Sequence, residues 1–509
     1  MNSWIEVLGQ WKQGIAYPRW AAMSHYAYGE ARFLFYPPAS WVLGAILGAV
    51  MPWKAAPGAY VCIALTLAGC SMFVLARRWL ERRDAIFAAA FYAANPYHIL
   101  IVYWRSAFAE LLAAALLPLL LLLVLRLEEK GVRPVIWLAA VMGAVWLTNA
   151  PSAVMATYSL ALLIITTSIL RRAPRVLWRG AVTFALGLAL AAFYVLPAAY
   201  EQRWVNITEV TSSGLRPRDN FLFAIVADSE HNIFNRLVSI VAISEVLALA
   251  ACILGSWFWR KTRRDAFHLL LVWAVASALL PFSITVTLWD HLPQLRFVQL
   301  PWRWLLCMNV AVAIFVTLGL SRWWLRFVLC LAMLLVLGYG WHCIQAPWWE
   351  IAGDITEMRN DQQSGKGYEG VDEYVPAGAD PYEIDRSAPQ VAYEGAGLAK
   401  IQVQEWTAES RSFRADVNRP GRLVLRLFNY PAWQVTLNGK PVTAETRDVT
   451  GQMAIPVQAG LNDVQVVFGR TWDRRVGGII SLITLAVIAA GLALSRTREP
   501  TIAEVRSSS

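Results

Sequence analysis

The stretch "AYGEARFLFYPPASW", from Ala27 to Trp41, decides how the rest of the chain is interpreted. It is aromatic and mostly apolar, but it contains one acid, Glu30, and a Pro-Pro step at Pro37 and Pro38. Only roughly fourteen apolar-leaning residues follow before Pro52, whereas a spanning helix needs about 20. The stretch is therefore either a short first membrane span or a segment that lies on the membrane surface.

The composition indicates a polytopic membrane protein. The chain has 509 residues, of which 57% are hydrophobic, and long apolar runs recur along most of its length. Eleven runs are long enough to be predicted as spans: 57–78, 84–101, 107–127, 134–149, 151–170, 178–197, 237–259, 266–289, 300–320, 325–343 and 476–495. Pro151, with Asn149 at the turn, separates two runs that would otherwise be one.

Basic residues orient these runs, because cytoplasmic loops are enriched in Lys and Arg. If the eleven runs alternate, six basic clusters fall on one side: Arg77/Arg78/Arg82/Arg83, Arg126/Lys130/Arg133, Arg171/Arg172/Arg175/Arg179, Arg260/Lys261/Arg263/Arg264, Arg322/Arg326 and Arg496/Arg498. The N-terminus and the long segment 344–475 then lie outside the cytoplasm, and the C-terminal tail lies inside.

This orientation indicates whether the stretch from Ala27 to Trp41 leads into a membrane span. A span at 38–51 would place the Arg77–Arg83 cluster outside and invert the whole pattern. We therefore expect an outer interfacial segment that leads into a juxtamembrane helix begun by Pro-Pro. Because an outside N-terminus needs a signal segment, we also expect a further apolar helix to precede Met1.

The composition changes sharply in 344–475. The part from Trp348 to Asp385 is acidic and Gly-rich and is predicted as loop, whereas short β-type runs alternate with turn signals from Ile401 onward. Asn438-Gly439 between two such runs indicates a hairpin. The predicted fold class is an α-helical polytopic membrane protein with about 11 spans and a small extracytoplasmic β-sandwich near the C-terminus.

Five segments follow from this interpretation. They are an extracytoplasmic ledge with its juxtamembrane helix (1–56), a transmembrane helical domain (57–343), an extracytoplasmic loop with the β-sandwich (344–475), a last transmembrane helix (476–495) and a cytoplasmic tail (496–509).

The charge and the Cys and His patterns exclude several classes. The net charge of +10 suits cytoplasmic loops, and no basic-aromatic soluble segment predicts nucleic-acid binding. The six cysteines lie in or beside apolar runs without a CxxC pair, and the six histidines form no HxH or HExxH pair. No metal site is predicted from these residues.

Four polar clusters near the outer face are candidate sites, because an ionisable group there is costly unless it is used or paired. The N-terminal cluster holds Tyr17, Arg19, Trp20, Tyr28, Glu30 and Tyr36. It suits sugar stacking and acceptor or metal binding, or it is an interfacial aromatic belt.

The second cluster, "NPYHILIVYWRSAFAELL" from Asn95 to Leu112, carries Arg105 and Glu110. Their separation of five does not by itself bring them together on a helix. Glu110 is either a cap stabilised by the helix dipole or a general base or metal ligand.

The third cluster is the outer loop 198–236, whose length is typical of a functional or mobile loop. The fourth, "WDHLPQLRFVQLPWRWLL" from Trp289 to Leu306, carries Asp290, His291, Arg296 and Arg303. Arg303 either extends to lipid headgroups or pairs with the phosphate of a lipid-linked donor.

These motifs resemble a known superfamily. "YPRW…AYGEARFLFYPPASWVLGA", "YWRSAFAELLAAALLPLLLL" and "LPQLRFVQLPWRWLL" resemble the GT-C integral-membrane glycosyltransferases over roughly residues 10–345. Within that superfamily they are similar to the bacterial "6-pyruvoyl-tetrahydropterin synthase-related membrane protein" group. "NYPAWQVTLNG" is similar to the outer β-sandwich of YfhO-like membrane proteins. The synthase activity is not implied, because that soluble enzyme needs a three-His zinc site with an HxH pair.

The resemblance implies transfer of a sugar from a polyprenyl-phosphate-linked donor to an envelope glycan or lipid acceptor, in the bilayer of the bacterial inner (plasma) membrane. It implies catalytic roles for Glu110, at the position of the second acid of the family, and for Glu30, which would fill the first unless that position lies at or before residue 1. Substrate contacts are predicted from a larger set: Arg105, Arg303, Arg296, His291, Asp290, Tyr36 and Arg19. Either Arg303 or a divalent Mg²⁺ or Mn²⁺ ion would neutralise the leaving phosphate.

Two other functions stay open. A non-catalytic relative would use the same ledge to bind or scaffold lipid-linked glycans. A transporter is the third candidate, although no inverted repeat or Gly/Pro-broken pair of helices is evident.

Overall fold

The computed structural model describes residues 1–258, 264–344 and 352–497. The chain forms two compact units. The first, called the sheet unit here, comprises Met1–Pro57, Phe193–Glu209 and Trp349–Gly478. The second, called the helical unit, comprises Gly58–Ala192, Val210–Trp348 and Ile479–Ser509. The sequence-based boundaries divide the chain differently and stay a prediction.

The helical unit is built from apolar helices joined by short connections. Its described helices are Ala56–Ala76, Arg82–Ala93, Pro96–Leu100, Phe108–Ala114, Leu117–Val124, Arg133–Thr148, Ala150–Arg171, Arg175–Leu190, Ser229–Gly255, Arg264–Leu279, Val286–His291, Leu305–Gly319 and Trp323–Ile344. Ala56–Ala76 begins two residues before this unit, and Ala192–Glu201 and Trp472–Thr497 also extend across its borders.

By length and composition, six described helices are able to cross a membrane, or eight if each of two bent pairs is one span. The bent pairs are Arg175–Leu190 with Ala192–Trp204, and Arg264–Leu279 with Ser283–His291. The prediction of a helical membrane protein is confirmed, and the count of eleven spans stays a prediction.

Local residues explain where several helices begin. The Asn149 side chain accepts a hydrogen bond from the Ser152 amide at 2.9 Å and caps Ala150–Arg171, which confirms the predicted break. The Asp228 side chain caps Ser229–Gly255 by accepting from the Glu230 amide at 2.9 Å. That helix begins eight residues before the apolar run predicted at 237, because its first two turns are polar and only the later ones are apolar.

An irregular stretch precedes Glu110. Ile101–Arg105 forms a π-helical turn, Ser106 has a left-handed backbone with φ of 47°, and Phe108–Ala114 follows. π-turns inside helices are rare and are frequent at functional sites. The reversal at Ser106 brings the Arg105 side chain back onto the helix that carries Glu110, which a regular helix would not do with a separation of five.

The described residues of the sheet unit form nine strands: β1 (Val391–Glu394), β2 (Ala399–Trp406), β3 (Ser410–Val417), β4 (Gly421–Phe428), β5 (Trp433–Leu437), β6 (Lys440–Val442), β7 (Glu445–Thr446), β8 (Gln452–Val457) and β9 (Gly460–Phe468). They form a four-stranded sheet in the order β1-β4-β8-β7 and a five-stranded sheet in the order β2-β3-β9-β5-β6. All these pairings are antiparallel. The prediction of a β region near the C-terminus is confirmed.

The predicted hairpin joins β5 and β6. Leu437 pairs with Lys440, so Asn438 and Gly439 are the two turn residues. Their φ angles are 52° and 75°, the left-handed values that a two-residue type I′ turn requires at both positions. Asn and Gly are the residues that adopt this conformation at least cost.

The core of the sheet unit includes the N-terminal stretch. Trp20 is fully buried, with its ring centroid 5.6 Å from those of Tyr430, Trp433 and Phe468. Tyr28, Ala31, Leu34 and Phe35 belong to the same apolar cluster as the inward-facing residues of both sheets. The opening stretch is therefore part of a protein core up to Phe35.

In the part of the sheet unit that the structure describes, five helices lie wholly within its borders: Asn2–Lys12, Ser24–Ala27, Arg32–Phe35, Pro38–Val50 and Ala352–Gln363. The helix predicted after Pro-Pro is confirmed, since Pro38–Val50 begins directly after Pro37.

The prediction that Trp348 to Asp385 is entirely loop is wrong, because Ala352–Gln363 is a helix of twelve residues. It is rich in helix-forming Glu, Met, Arg and Gln, and it packs against Asn2–Lys12, a tertiary contact that its sequence does not reveal. The Gln362 side-chain amide donates to the Asn2 carbonyl at 3.1 Å.

Candidate functional site

Glu110 is the centre of a buried ionic cluster in the helical unit. Only 1% of the residue is exposed. One carboxylate oxygen, Oε2, accepts hydrogen bonds from Arg105 at 2.6 Å and from Arg303 at 3.1 Å. The other, Oε1, accepts from the Tyr97 hydroxyl at 2.6 Å. We call these four residues the Glu110 cluster.

The two arginines reach Glu110 from different elements. Arg105 ends the π-turn, and its guanidinium lies 4.8 Å from the centroid of the Trp302 ring. Arg303 lies in the 3₁₀ turn Pro301–Trp304, which opens Leu305–Gly319. The Arg303 guanidinium also donates to the Val298 carbonyl and, at 3.2 Å, to the Gln299 side chain. Both guanidinium groups are therefore held in place before any ligand binds.

The Glu110 cluster has one more positive charge than negative, because two guanidinium groups share one carboxylate. The side chains of Arg105 and Arg303 are 14% and 10% exposed, so little water screens this charge. Guanidinium groups bind carboxylates and phosphates through paired hydrogen bonds. Such a cluster is chemically suited to hold an anion.

The residues around Glu110 do not fit a divalent cation. Mg²⁺ and Mn²⁺ are bound by several oxygen ligands, whereas the groups that contact this carboxylate are two guanidinium groups and a hydroxyl. Across the described ranges, no three His, Cys, Asp or Glu side chains come together as a candidate metal site. The charges available here to a bound phosphate are therefore those of arginine.

A second buried carboxyl group, Glu245, lies in the helix Ser229–Gly255 and was not among the sequence candidates. It is fully buried, and its oxygens accept from the Tyr97 amide at 3.3 Å and the Asn309 side chain at 3.1 Å. The Asn309 amide also contacts the Asn95 side chain at 3.2 Å. The signal in the sequence was one acid inside an apolar run, which in a membrane helix marks a functional candidate.

Tyr97 contacts both carboxyl groups. Its backbone amide contacts Glu245, and its hydroxyl contacts Glu110. A substitution of Glu245 therefore removes a contact of Tyr97, the residue whose hydroxyl donates to Glu110.

Glu30 lies in the sheet unit and is fully buried. His25 lies 2.8 Å from Oε2, which also accepts from the Val371 amide at 2.8 Å, and Arg32 contacts Oε1 at 2.5 Å. Burial opposes ionisation, but Arg32 and His25 outweigh it, so the pKa of Glu30 is lowered below its ordinary value. This carboxylate joins two segments of the sheet unit, Met1–Pro57 and Trp349–Gly478.

The other predicted substrate residues have contacts elsewhere. Asp290 is exposed and pairs with Arg218 at 2.7 Å. His291 is exposed with Nδ1 2.9 Å from the Thr287 carbonyl, and the exposed Arg296 lies 5.1 Å from the Phe297 ring centroid. Of the residues predicted in the helical unit, the structure brings Arg105, Glu110 and Arg303 together.

Arg19 and Tyr36 belong to the sheet unit. The Arg19 guanidinium lies 4.3 Å from the Tyr17 ring centroid. The carbonyl of Tyr36, which is 38% exposed, accepts from the Trp41 indole at 3.2 Å.

A family model agrees with the helical organisation. The model of the 6-pyruvoyl-tetrahydropterin synthase related domain, described as a membrane protein, matches residues 33–344, which is more than half of the chain. The chain belongs to this family. The resemblance to that membrane-protein group is confirmed. No curated protein matches the chain.

Two kinds of protein are among the solved structures with similar chains. ArnT from Cupriavidus metallidurans bound to undecaprenyl phosphate has 14% identity and a TM-score of 0.42, over 65% of this chain and 58% of that one. The apo ArnT structure has 17% identity and a TM-score of 0.42, over 69% and 60%. The Archaeoglobus fulgidus oligosaccharyltransferase complex with Zn and sulfate has 16% identity and a TM-score of 0.37, over 72% and 49%.

The chain thus spans about three fifths of the ArnT structures and half of the oligosaccharyltransferase. TM-scores below 0.5 do not establish a shared fold. The activity of this family member has to be argued from its own residues.

Proposed function

We propose that the protein is an integral-membrane glycosyltransferase that takes a sugar from a polyprenyl-phosphate-linked donor and transfers it to a cell-envelope acceptor. The observation that carries this proposal is the pair of guanidinium groups from Arg105 and Arg303 on the buried carboxylate of Glu110. A net positive cluster within a unit of apolar helices suits a lipid whose headgroup is a phosphate.

In the proposed reaction, the acceptor hydroxyl oxygen attacks the anomeric carbon of the donor sugar. The bond from that carbon to the phosphate oxygen breaks, and the polyprenyl phosphate leaves with the electron pair. Arg105 and Arg303 would neutralise the charge that develops on the leaving phosphate. This assigns to arginines the role that a divalent metal plays in other transferases.

The proton of the acceptor hydroxyl needs a base, and we assign Glu110 to this role. Its Oε2 contacts both arginines, whereas its Oε1 contacts only the neutral Tyr97 hydroxyl. Exchange of the Tyr97 contact for the acceptor hydroxyl would place Oε1 where it can take the proton. Glu30, which is fully buried and joined to three partners, is assigned a structural role.

The proposed arrangement in the membrane has eleven crossings. Three shorter apolar helices, Phe108–Val124, Arg133–Thr148 and Trp323–Tyr339, would join the six long helices and the two bent pairs. With the basic loops inside, segment 344–475 with its β-sandwich would be extracytoplasmic, and the C-terminus would lie in the cytoplasm of a bacterial cell. The predicted tail, 496–509, lies outside the described residues from 498 onward.

A second function is favoured by one observation. Both oxygens of Glu110 already have hydrogen-bond partners, so the carboxylate is a weak base until one partner leaves. A protein that binds lipid-linked glycans without transferring the sugar would use the same two arginines and would not need the base.

Binding of undecaprenyl phosphate to the full chain in lipid nanodiscs, measured by native mass spectrometry, tests the phosphate site. A charged hydrogen bond contributes about 1.5–3 kcal/mol, so Arg303→Ala is expected to weaken binding by roughly 10- to 100-fold. Arg296→Ala is the matched control, because Arg296 is exposed and close in the chain. Equal affinity of Arg303→Ala and the unmodified protein would contradict the proposal.

Sugar transfer is tested by comparing the lipid-linked glycans of a strain that lacks the protein with those of the strain that contains it. Mass spectrometry is expected to show a precursor that accumulates in this strain and disappears when the unmodified protein is restored. A Glu110→Gln variant that binds undecaprenyl phosphate but leaves the precursor in place supports Glu110 as the base. An unchanged glycan profile in the deletion strain would favour the binding function.

A further inference from the structure

Arg411 is an inward-facing charge in a row of apolar side chains. It lies on β3, where Phe413, Ala415 and Val417 point into the core of the sheet unit at alternate positions. Arg411 continues this row and is only 1% exposed. An apolar residue is expected there, because a buried charge is costly unless it is paired.

The contacts of Arg411 leave its charge without a carboxylate partner among the described residues. One guanidinium nitrogen donates to the Ala408 carbonyl at 3.2 Å, and Nε has no partner. The guanidinium carbon lies 4.5 Å from the ring centroid of Trp433 and 5.2 Å from that of Trp406. Burial lowers the pKa of Arg411 to about 9, and the charge of Glu409, two residues earlier, offsets only part of this effect.

Arg411 lines a cavity of about 730 Å³, called the Arg411 cavity, whose lining residues all belong to the sheet unit. This volume falls in the range of roughly 300–1,000 Å³ that is typical of small-molecule sites. Three further cations line it, Lys12, Arg359 and Arg426, against one buried acid, Glu6. The cavity is therefore suited to a ligand with negative charge.

Uncharged groups in the Arg411 cavity indicate what else the ligand carries. Gln10, Gln13 and Gln390 line it; the Gln13 Oε1 accepts from the Ala408 amide at 3.1 Å, whereas the buried Gln10 Oε1 has no hydrogen-bond partner. Side-chain amides both donate and accept, as needed for hydroxyl groups, and an unpartnered buried oxygen is costly unless a ligand donates to it. The Trp406 indole provides an apolar surface in the same cavity.

We propose that the Arg411 cavity binds an acidic saccharide, with Arg411 and the other cations at the carboxylate, the Gln amides at the hydroxyl groups and Trp406 against the sugar ring. This proposal depends neither on the glycosyl-transfer reaction nor on the Glu110 cluster. It would stand for a transferase, for a binding protein, and for either orientation in the membrane.

Calorimetric titration of the full chain in detergent with digalacturonate tests the inference. Maltose, a neutral disaccharide, and inorganic phosphate, an anion without sugar hydroxyls, are the matched probes. We expect digalacturonate to bind at least tenfold more tightly than either. Equal affinity for maltose would remove the role of charge, and equal affinity for phosphate would remove the role of the sugar, so either result would overturn the proposal.

The Arg411→Met variant tests whether the charge of Arg411 binds the ligand, because Met fills a similar volume beside both tryptophans and carries no charge. It is expected to weaken digalacturonate binding at least tenfold. Arg414→Ala is the control on the same strand, since Arg414 is exposed and pairs with Asp463 at the surface. Unchanged affinity in Arg411→Met, or an equal loss in Arg414→Ala, would overturn the assignment.

If the Arg411→Met variant does not fold, a second variant, Gln390→Ala, tests ligand binding in the same cavity. Gln390 lines the same cavity from an exposed position, so Gln390→Ala is expected to leave thermal stability unchanged. A loss of several-fold in digalacturonate affinity, with no change for phosphate, supports a contact to the sugar. Absence of any digalacturonate binding to the unmodified protein would end the proposal.

Discussion

Two buried carboxyl groups of the helical unit show how hydrogen-bond and charge partners determine whether a carboxyl group is ionised or protonated. Glu110 contacts two guanidinium groups, which favour its ionised form. Glu245 contacts an amide nitrogen of the backbone and one of Asn309, and among the described residues no cation is paired with it. Since an unpaired charge in an apolar interior is very costly, Glu245 is expected to hold a proton.

Labelling by a hydrophobic carbodiimide, which reacts with protonated carboxyl groups, tests this state. In the full chain in detergent near neutral pH, Glu245 is expected to be labelled at least tenfold faster than Glu110, as read by peptide mass spectrometry. Glu245→Gln keeps the shape and is expected to abolish that label. Faster labelling of Glu110 would contradict the assigned states.

At the scale of elements, left-handed backbone marks the turns on which the candidate sites depend. Ser106 directly follows the π-turn before Glu110, and three consecutive residues, His25, Tyr26 and Ala27, have φ of 46°, 55° and 69° near Glu30. Each such non-Gly residue costs roughly 1–2 kcal/mol. The three residues beside Glu30 lie between Trp20 and Tyr28, which both belong to the core of the sheet unit.

Ala27→Gly is expected to stabilise the protein by about 1 kcal/mol, because glycine adopts the left-handed region without the steric cost of Cβ, and its extra chain entropy offsets part of the gain. The melting temperature of the full chain in detergent is expected to rise. Gly439→Ala is the matched opposite change, with φ of 75° and no neighbour within 4 Å of the added Cβ. It is expected to destabilise by a similar amount, and a fall in both variants would contradict the account.

At the scale of the whole molecule, the two units differ in how their polar groups are satisfied. The helical unit satisfies its backbone within helices, as a bilayer requires, and its buried charges pair in the Glu110 cluster. The sheet unit is held by two antiparallel sheets, an aromatic core and buried ion pairs such as Arg474 with Glu201 at 2.7 Å. The orientation in the membrane depends on the helical unit, and it can be tested separately from the contacts within either unit.

Cysteine accessibility tests the predicted orientation. The runs 134–149, 151–170 and 178–197 separate Lys130 from Ser213, and three crossings place two exposed residues on opposite sides. In a background without the six native cysteines, a membrane-impermeant maleimide is expected to label Ser213→Cys in intact cells. Lys130→Cys is expected to react only after lysis.

Labelling of both positions in intact cells would contradict the three crossings between them. Labelling of Lys130→Cys alone would show that the orientation is inverted. Both results would leave the contacts within each unit unchanged.

The sequence by itself determined the membrane class, the break at Asn149, the helix after Pro37 and the Asn438-Gly439 hairpin. These features depend on composition, on caps and on turn residues, which are local properties. It also predicted Arg105, Glu110 and Arg303 as candidates, because charged residues at apolar helix ends are rare enough to be noticed.

Only the tertiary structure decided which of these residues meet. The contact of Arg105 with Glu110 depends on the reversal at Ser106, and the contact of Arg303 joins residues 193 positions apart. The sequence assigned Glu30 to an interfacial segment, and the core that buries its side chain is completed by residues beyond 370. Burial and pairing are set by segments that are distant in the chain, so no local pattern around Glu30 or Arg411 could reveal them.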